Sequence, residues 1–283
     1  MTTVSATIVV YNEEERIERV LRSLRWCDEI VVIDKSSTDR TRELAARYTD
    51  RIVVVPYSDF AVSELEAMVG ECRSEGVFWC TASRLVPRAA AERIREIISD
   101  PDLPYDVIEV PFARYVLGIA EPFSPWWNSH EPLLFRRSVA KLRDDDVHGS
   151  LTFASARRLR MPAGKREERV LHLTHERVDS MMERHVRYCR TEPLLAGQRL
   201  TLRRAGLSVL RSIYEVVVKR RTVFHGADGL ALSFAWVSYW MLRYLYLWER
   251  KRSHASETYA RIDRAVAAEW ENEPVAAHSE RGA

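Results

Sequence analysis

Apolar runs of strand length recur at residues 4–10, 29–33, 52–55, 77–80 and 107–110, with helix-period segments between them at 13–25, 39–48, 61–73 and 88–98. Strand alternating with helix is the pattern of a parallel sheet whose crossover helices cover its faces. In the first interval Ile17, Val20, Leu21 and Leu24 fall on one helical stripe, and Arg and Glu occupy most of the other positions, as in a half-buried helix. Beyond Pro111 the alternation stops. Phe112, Tyr115, Phe123, Pro125, Trp126 and Trp127 crowd residues 112–135, which read as a loop-rich region for an acceptor. Short strands are expected at 133–135 and 170–173, and the chain reads as helical from Val178. The fold class expected is therefore α/β, a sheet flanked by helices, followed by a helical C-terminal extension.

Composition narrows this picture without redirecting it. The 283 residues are 46% hydrophobic and 30% charged, as in a globular protein with a sizeable core. The formal charge of +2 hides an asymmetry: residues 1–100 carry 14 Lys/Arg against 18 Asp/Glu, and residues 199–252 carry 11 against 3. A basic block interleaved with aliphatic and aromatic residues fits an anionic membrane surface better than nucleic acid, and no nucleic-acid partner is expected. Within it, Gly229–Leu242 is a 14-residue run without charge, flanked by Lys219-Arg-Arg221 and Arg250-Lys-Arg252. A bilayer span needs about 20 residues, so the segment reads either as an interfacial helix or as an ordinary buried one. Cys27, Cys72, Cys80 and Cys189 form no C-x-x-C pair and read as free thiols. The amino terminus carries no basic-then-apolar leader pattern, so a cytoplasmic location is expected, and the basic C-terminal block adds the expectation of a peripheral place on the inner face of the membrane. The domains expected are 1–175 for the donor and acceptor sites, 176–270 for a helical, membrane-associated extension, and 271–283 for a flexible tail.

Two strands end in polar clusters, Tyr11-Asn-Glu-Glu14 and Asp34-Lys-Ser-Ser-Thr-Asp39. At neighbouring carboxyl ends of a parallel sheet these groups would line the crevice where open α/β sheets bind nucleotides. Tyr11 offers a flat surface for a base, and Glu13 and Asp34 accept hydrogen bonds from ring N–H groups. Asn12 and Ser36 complete the set. Ser37 or Thr38 could equally cap the helix that follows.

The segments Val9-Val-Tyr-Asn-Glu-Glu14 and Trp26-Cys-Asp-Glu-Ile-Val-Val-Ile-Asp-Lys-Ser-Ser-Thr-Asp-Arg-Thr41 resemble the amino-terminal half of family 2 glycosyltransferases, nearest the bacterial enzymes that build lipopolysaccharide cores and related glycans. The resemblance implies the A-type glycosyltransferase fold and an inverting transfer of sugar from a nucleoside diphosphate to a hydroxyl acceptor, be it glycan, lipid-linked or small molecule. It assigns Tyr11, Glu13 and Asp34 to the base, and it implies a divalent cation, Mg²⁺ or Mn²⁺, on an Asp-x-Asp motif after the fourth strand.

The chain departs from that pattern in two places. Where the motif belongs it reads Cys80-Thr-Ala-Ser-Arg84. Thr81 and Ser83 are neutral hydroxyls and bring no charge to a cation. Where the relatives often have Val-His-Glu, this chain has Asp146-Val-His-Gly149, leaving His148 or Asp146 as the candidate base for the attacking hydroxyl. Asp144 and Asp145 share the latter's acidic turn. Arg84, His172, Arg136, Arg137 and Lys165 are candidate partners for the leaving diphosphate, with Arg84 favoured because it follows the fourth strand directly. His175 lies beside His172, and two histidines at that spacing do not make a zinc site. Trp126 and Trp127 can stack on sugar faces. The alternative to an active enzyme is a non-catalytic relative that partners or regulates one.

Overall fold

In a computed structural model of the chain, residues 3–57, 68–100, 102–127, 130–141, 152–155, 157–195 and 201–271 are described. Among them, nine strands form one mixed sheet. The first four are β1 (Val4–Val10), β2 (Glu29–Asp34), β3 (Ile52–Val54) and β4 (Gly76–Thr81). They run parallel, with β1 between β2 and β4. The chain leaves β1 towards β2 and β3 and returns on the other side as β4. The carboxyl ends of β1 and β4 therefore flank a topological switch point, the position where such sheets bind ligands.

Helices α1 (Ile17–Ser23), α2 (Thr41–Ala45) and α3 (Arg88–Ile98) lie at three of the predicted helix positions. The first two are shorter than expected. Residues 13–16 and 38–40 are spent instead on turns that join the two polar clusters. Most of the helix expected at 61–73 lies outside the described residues. Ile17, Val20, Leu21, Leu24, Ala90, Ala91, Ile94 and Ile98 pack with Ile8, Phe78 and Cys80 into the main core on one face of the sheet. Val31, Ile33, Val77, Met68 and Phe135 form a second core on the other face.

The sheet is completed by β5 (Arg84–Leu85), β6 (Val107–Val116), β7 (His130–Arg136), β10 (Arg158–Arg160) and β11 (Val170–Thr174), in the order β3-β2-β1-β4-β7-β6-β11-β5 with β10 also beside β6. Strand β7 runs antiparallel to β4 and β6, β10 and β11 run parallel to β6, and β5 is antiparallel to β11. The short strands β8 (Ala140–Lys141) and β9 (Thr152–Phe153) pair separately. Strand β6 passes straight through Pro111, so part of the expected loop region, Phe112–Val116, is strand instead. The reason is a change of partner. Val107–Glu109 pair with β10 and Phe112–Val116 pair with β11. Pro111 falls in the gap between them, where its missing N–H costs no ladder bond.

Four helices follow: α4 (Val178–Leu195), α5 (Leu202–Tyr214), α6 (Gly226–Arg252) and α7 (Ala255–Glu271). The uncharged run 229–242 is the middle of α6, and Leu232, Ser233 and Ala235 are buried there. No helix among the described residues is long and apolar enough to cross a membrane. The chain is still helical at Glu271, and residues 272–283, most of the expected tail, lie outside the described set. All four cysteines are free thiols.

Candidate active site

The two polar clusters are stitched together by hydrogen bonds. The backbone N–H groups of Asn12, Glu13 and Glu14 donate to Ser37 Oγ (3.0 Å), Thr41 Oγ1 (2.7 Å) and Asp39 Oδ2 (3.1 Å). In return Thr38 N donates to Asn12 Oδ1 (2.8 Å) and Arg40 N to Glu14 Oε2 (3.1 Å). Asn12 and Ser36 both adopt left-handed backbone conformations, φ 51° and 59°, which are uncommon for residues other than glycine. Ser37 and Thr38 are thus ties between loops and do not cap α2.

Asp34 is fully buried. It accepts from Ser37 N (3.1 Å) and pairs with Arg42 (3.4 Å). Glu13 pairs with Arg16 at 2.7 Å, and burial raises its carboxyl above the ordinary range against the pull of that arginine. Ser36 Oγ donates to Val55 O (2.8 Å). Tyr11 is exposed at the mouth, its ring 4.4 Å from that of Tyr57. Lys35 Nζ sits 5.3 Å from the Tyr57 ring. Tyr57 joins the group of predicted residues; being just beyond the third strand, it was open to the same strand-end reasoning.

Across the switch point, Val9 of β1 is in register with Thr81 of β4. Thr81 and Ser83 hydroxyls are 3.1 Å apart and bond each other. Two neutral hydroxyls satisfied in this way do not fit a divalent cation, which prefers charged oxygen ligands. No group of three or more His, Cys, Asp or Glu among the described residues is arranged to hold a metal ion.

The residues beyond Ser83 are cationic. Arg84 lies opposite His172 on β11, and His172 lies in register with Arg114 on β6. The three form a row across three strands. Glu131 of β7 pairs with Arg84 (2.6 Å) and also with Arg114. Arg84 is only 5% exposed, held between the rings of Trp79 and Phe112 at 5.4 and 5.1 Å. Its Nε and Nη1, together with Arg114 Nε and His172 Nδ1, are buried without a hydrogen-bond partner. Burial, then the charges of Arg84, Arg114 and Arg184, hold His172 neutral far below the usual histidine range. Arg184 on α4 bonds Thr174 Oγ1 (3.3 Å) and acts electrostatically on both Glu13 and His172, so it links the two halves of the crevice.

The other candidates fall elsewhere. Arg136 pairs with Glu75 and Asp106, and Arg137 donates to Cys72 O. Gly76 at the amino end of β4 is the register partner of Arg136, so both arginines sit at the wrong end of the sheet for a diphosphate. Lys165 is at the start of a short turn where Glu168 accepts from its backbone N–H (3.3 Å). Trp126 packs edge-on against Trp236 of α6 at 5.0 Å, and the ring of Trp127 carries Arg169 at 5.2 Å. His148, Asp146, Asp144 and Asp145 lie outside the described residues. Sequence reasoning missed Arg114 and Glu131. Both sit on strands it had taken for a loop, so no period marked them.

Residues 5–62 match the model of glycosyl transferase family 2. The match covers both polar clusters and the first three strands. The chain is also 29% identical over 103 residues to the lipopolysaccharide core biosynthesis glycosyltransferase LpsC of Rhizobium meliloti (strain 1021). That similarity spans 35% of this chain and 38% of the relative's length. Among solved structures, glucosyl-3-phosphoglycerate synthase from Mycobacterium tuberculosis, in complex with Mn²⁺, UDP and glucosyl-3-phosphoglycerate, is similar with a TM-score of 0.35 at 19% identity, over 48% of this chain and 57% of that one. S. aureus TarS 1–349 in complex with UDP is similar with a TM-score of 0.47 at 12% identity, over 89% and 93%.

Proposed function

We propose that this family 2 chain transfers a sugar from a nucleoside diphosphate donor to a hydroxyl acceptor, with inversion, and that protein cations take the place of the usual metal. The base lies against Tyr11 and Tyr57, with Glu13 and the Asn12–Ser36–Asp34 loops shaping its pocket. The diphosphate points across the switch point past Thr81 and Ser83 towards Arg114, His172 and Arg84. Inversion needs a single in-line displacement. The acceptor hydroxyl attacks the anomeric carbon, its proton passes to a base for which His148 and Asp146 are the candidates, and the diphosphate leaves with its bonding electrons. Arginines stabilise that leaving charge through bidentate, charge-assisted hydrogen bonds. Trp127 is the remaining candidate for stacking on the acceptor, and residues 176–270 serve to hold the enzyme at an anionic membrane surface.

One observation carries this reading. Buried arginine N–H groups without partners lie one residue beyond the hydroxyl pair that stands where carboxylates are expected. Unsatisfied buried donors are costly, and phosphate oxygens would satisfy them. Calorimetric titration with UDP and other nucleoside diphosphates, in Mn²⁺ and in chelator, tests it. Binding unchanged by chelator and weakened at least about tenfold in Arg114→Ala is the expected result. Binding that appears only with Mn²⁺ would overturn the metal-free reading. A second reading, a non-catalytic partner of an active transferase, is favoured by the loss of both the carboxylate pair and the expected glutamate at Gly149; absence of binding to every nucleotide would select it.

A further inference from the structure

Helix α5 is built inside out. Its small residues Ala205 and Ser212 are buried, Ala205 against Leu247 of α6, and a Cβ at Gly206 would touch the Tyr244 ring at 3.7 Å. Its large apolar residues face solvent. Leu207, Leu210, Ile213 and Tyr214 are exposed, and Val217 and Val218 continue the stripe through the π-helical turn Glu215–Lys219. Leu210 is 64% exposed and Phe224, in the turn before α6, is 67% exposed. A surface helix normally turns such a stripe to the core, and contiguous exposed apolar surface marks an interaction site.

Charge identifies the partner. Residues 202–221 include Arg203, Arg204, Arg211, Lys219, Arg220 and Arg221 against one carboxylate, Glu215. An apolar stripe flanked by cations is the surface that lies in the headgroup region of an anionic bilayer. Helix α7 also exposes an apolar stripe (Tyr259, Ile262, Val266, Trp270), but there Glu257, Asp263 and Glu269 offset Arg261 and Arg264, so it lacks the charge complement.

We infer that the outer face of α5 and the turn after it is a membrane-docking surface for anionic lipid. This differs from the location that the uncharged run 229–242 suggests, since part of that run is core. The docking face is also tied to the proposed acceptor loop. Arg220 donates to Ser124 O (3.2 Å), Thr222 Oγ1 donates to Phe123 O (2.6 Å), and His225 stacks on Phe123 at 4.2 Å. On the transferase reading proposed above, this surface sets the acceptor loop beside the bilayer, and a hydroxyl acceptor carried on a lipid reaches Trp127 from the membrane.

The test is co-flotation of the full chain with vesicles of phosphatidylcholine alone or mixed with phosphatidylglycerol, for the parent and for Leu207→Asp/Leu210→Asp. The parent is expected to bind the mixed vesicles, more weakly at high salt, and the variant to lose at least about tenfold. Both positions are exposed, so the variant should keep the parent's melting temperature and its nucleotide binding. The nucleotide titration is read separately, so a failed donor site and a failed docking surface are told apart. Equal binding of parent and variant would overturn the inference. So would absence of vesicle binding together with a concentration-dependent dimer that the double substitution dissociates, which would make the face a contact between copies of the chain.

Discussion

The two sides of the crevice solve opposite problems. On the β1–β2 side, the polar groups satisfy one another: loop N–H groups find side-chain oxygens on the neighbouring loop, and Asp34 is sealed between Ser37 N and Arg42. On the β5–β11–β6 side, two arginines share one carboxylate and keep buried N–H groups without partners. The first side is a finished scaffold, and the second is electrostatically incomplete. Hydrogen bonds made within a site preorganise it, whereas unmade ones leave it poised to gain from an anion. The polar groups expected from the sequence thus stand where the fold itself uses them, and the buried unpartnered donors stand on the opposite side of the crevice.

The largest effect should come from cutting the shared pair on the incomplete side. Arg84→Met leaves Glu131 with one cation fewer at a part-buried position, and breaking a buried pair typically costs about 3 kcal/mol. Urea denaturation of Arg84→Met should show a loss of that order, and the double variant Arg84→Met/Glu131→Gln, which also takes the carboxylate from Arg114, should lose more. If the single variant were as stable as the parent, Arg84 would not be the buried anchor described above. A parent that gains thermal stability from a nucleoside diphosphate, and an Arg84→Met variant that does not, would sharpen the contrast between the two sides.

On the finished side the corresponding probe is Asn12. Its side chain accepts from Thr38 N, and its backbone is left-handed. Asn12→Ala loses the bond and meets the steric penalty of that conformation, together about 1–3 kcal/mol. Asn12→Gly loses the bond but tolerates the backbone, and should cost less than the alanine. Equal losses would mean that the φ value contributes nothing. Nucleotide affinity should fall in parallel with loop order in both variants.

These residues also mark what could be read from sequence. Tyr11, Asn12, Glu13 and Asp34 were legible because each ends or follows an uninterrupted apolar strand, and a parallel sheet puts such ends together. Arg114 was hidden by Pro111, which argues against a central strand unless the strand changes partner there, and Glu131 by the aromatic- and proline-rich stretch in which β7 begins. Thr81 and Ser83 were legible as a departure, yet only the folded structure brings the two hydroxyls together. The in-to-out reversal of α5 has a sequence trace, small residues at Ala205, Gly206 and Ser212 opposite a large apolar stripe. A helical period alone does not say which side meets the core.

The smallest predicted effect is a pH dependence confined to the cationic side. His175 and His185 have rings 5.2 Å apart, and His185 also packs against Tyr239. Burial, then the charge of Arg184, pulls both down to about 4, against about 6.5 for an unfolded histidine. Between those values the unfolded chain binds protons that the folded one refuses. The stabilisation is thus complete above about pH 6.5 and is lost progressively as pH falls towards 4. His175 is partly exposed, so solvent screens its share of the effect, whereas His185 is buried. Glu13 acts in the opposite sense, because a carboxyl raised by burial gains protons in the folded state first, and stability from it rises as pH falls. The difference between parent and His175→Asn/His185→Gln isolates the histidines, and asparagine suits the left-handed backbone at residue 175 (φ 56°). Melting temperatures should fall more steeply for the parent than for this variant from pH 7 to 5. Parallel curves would mean that protons reach these rings as easily in the folded chain as in the unfolded one, and that the cationic side is open to water at that edge.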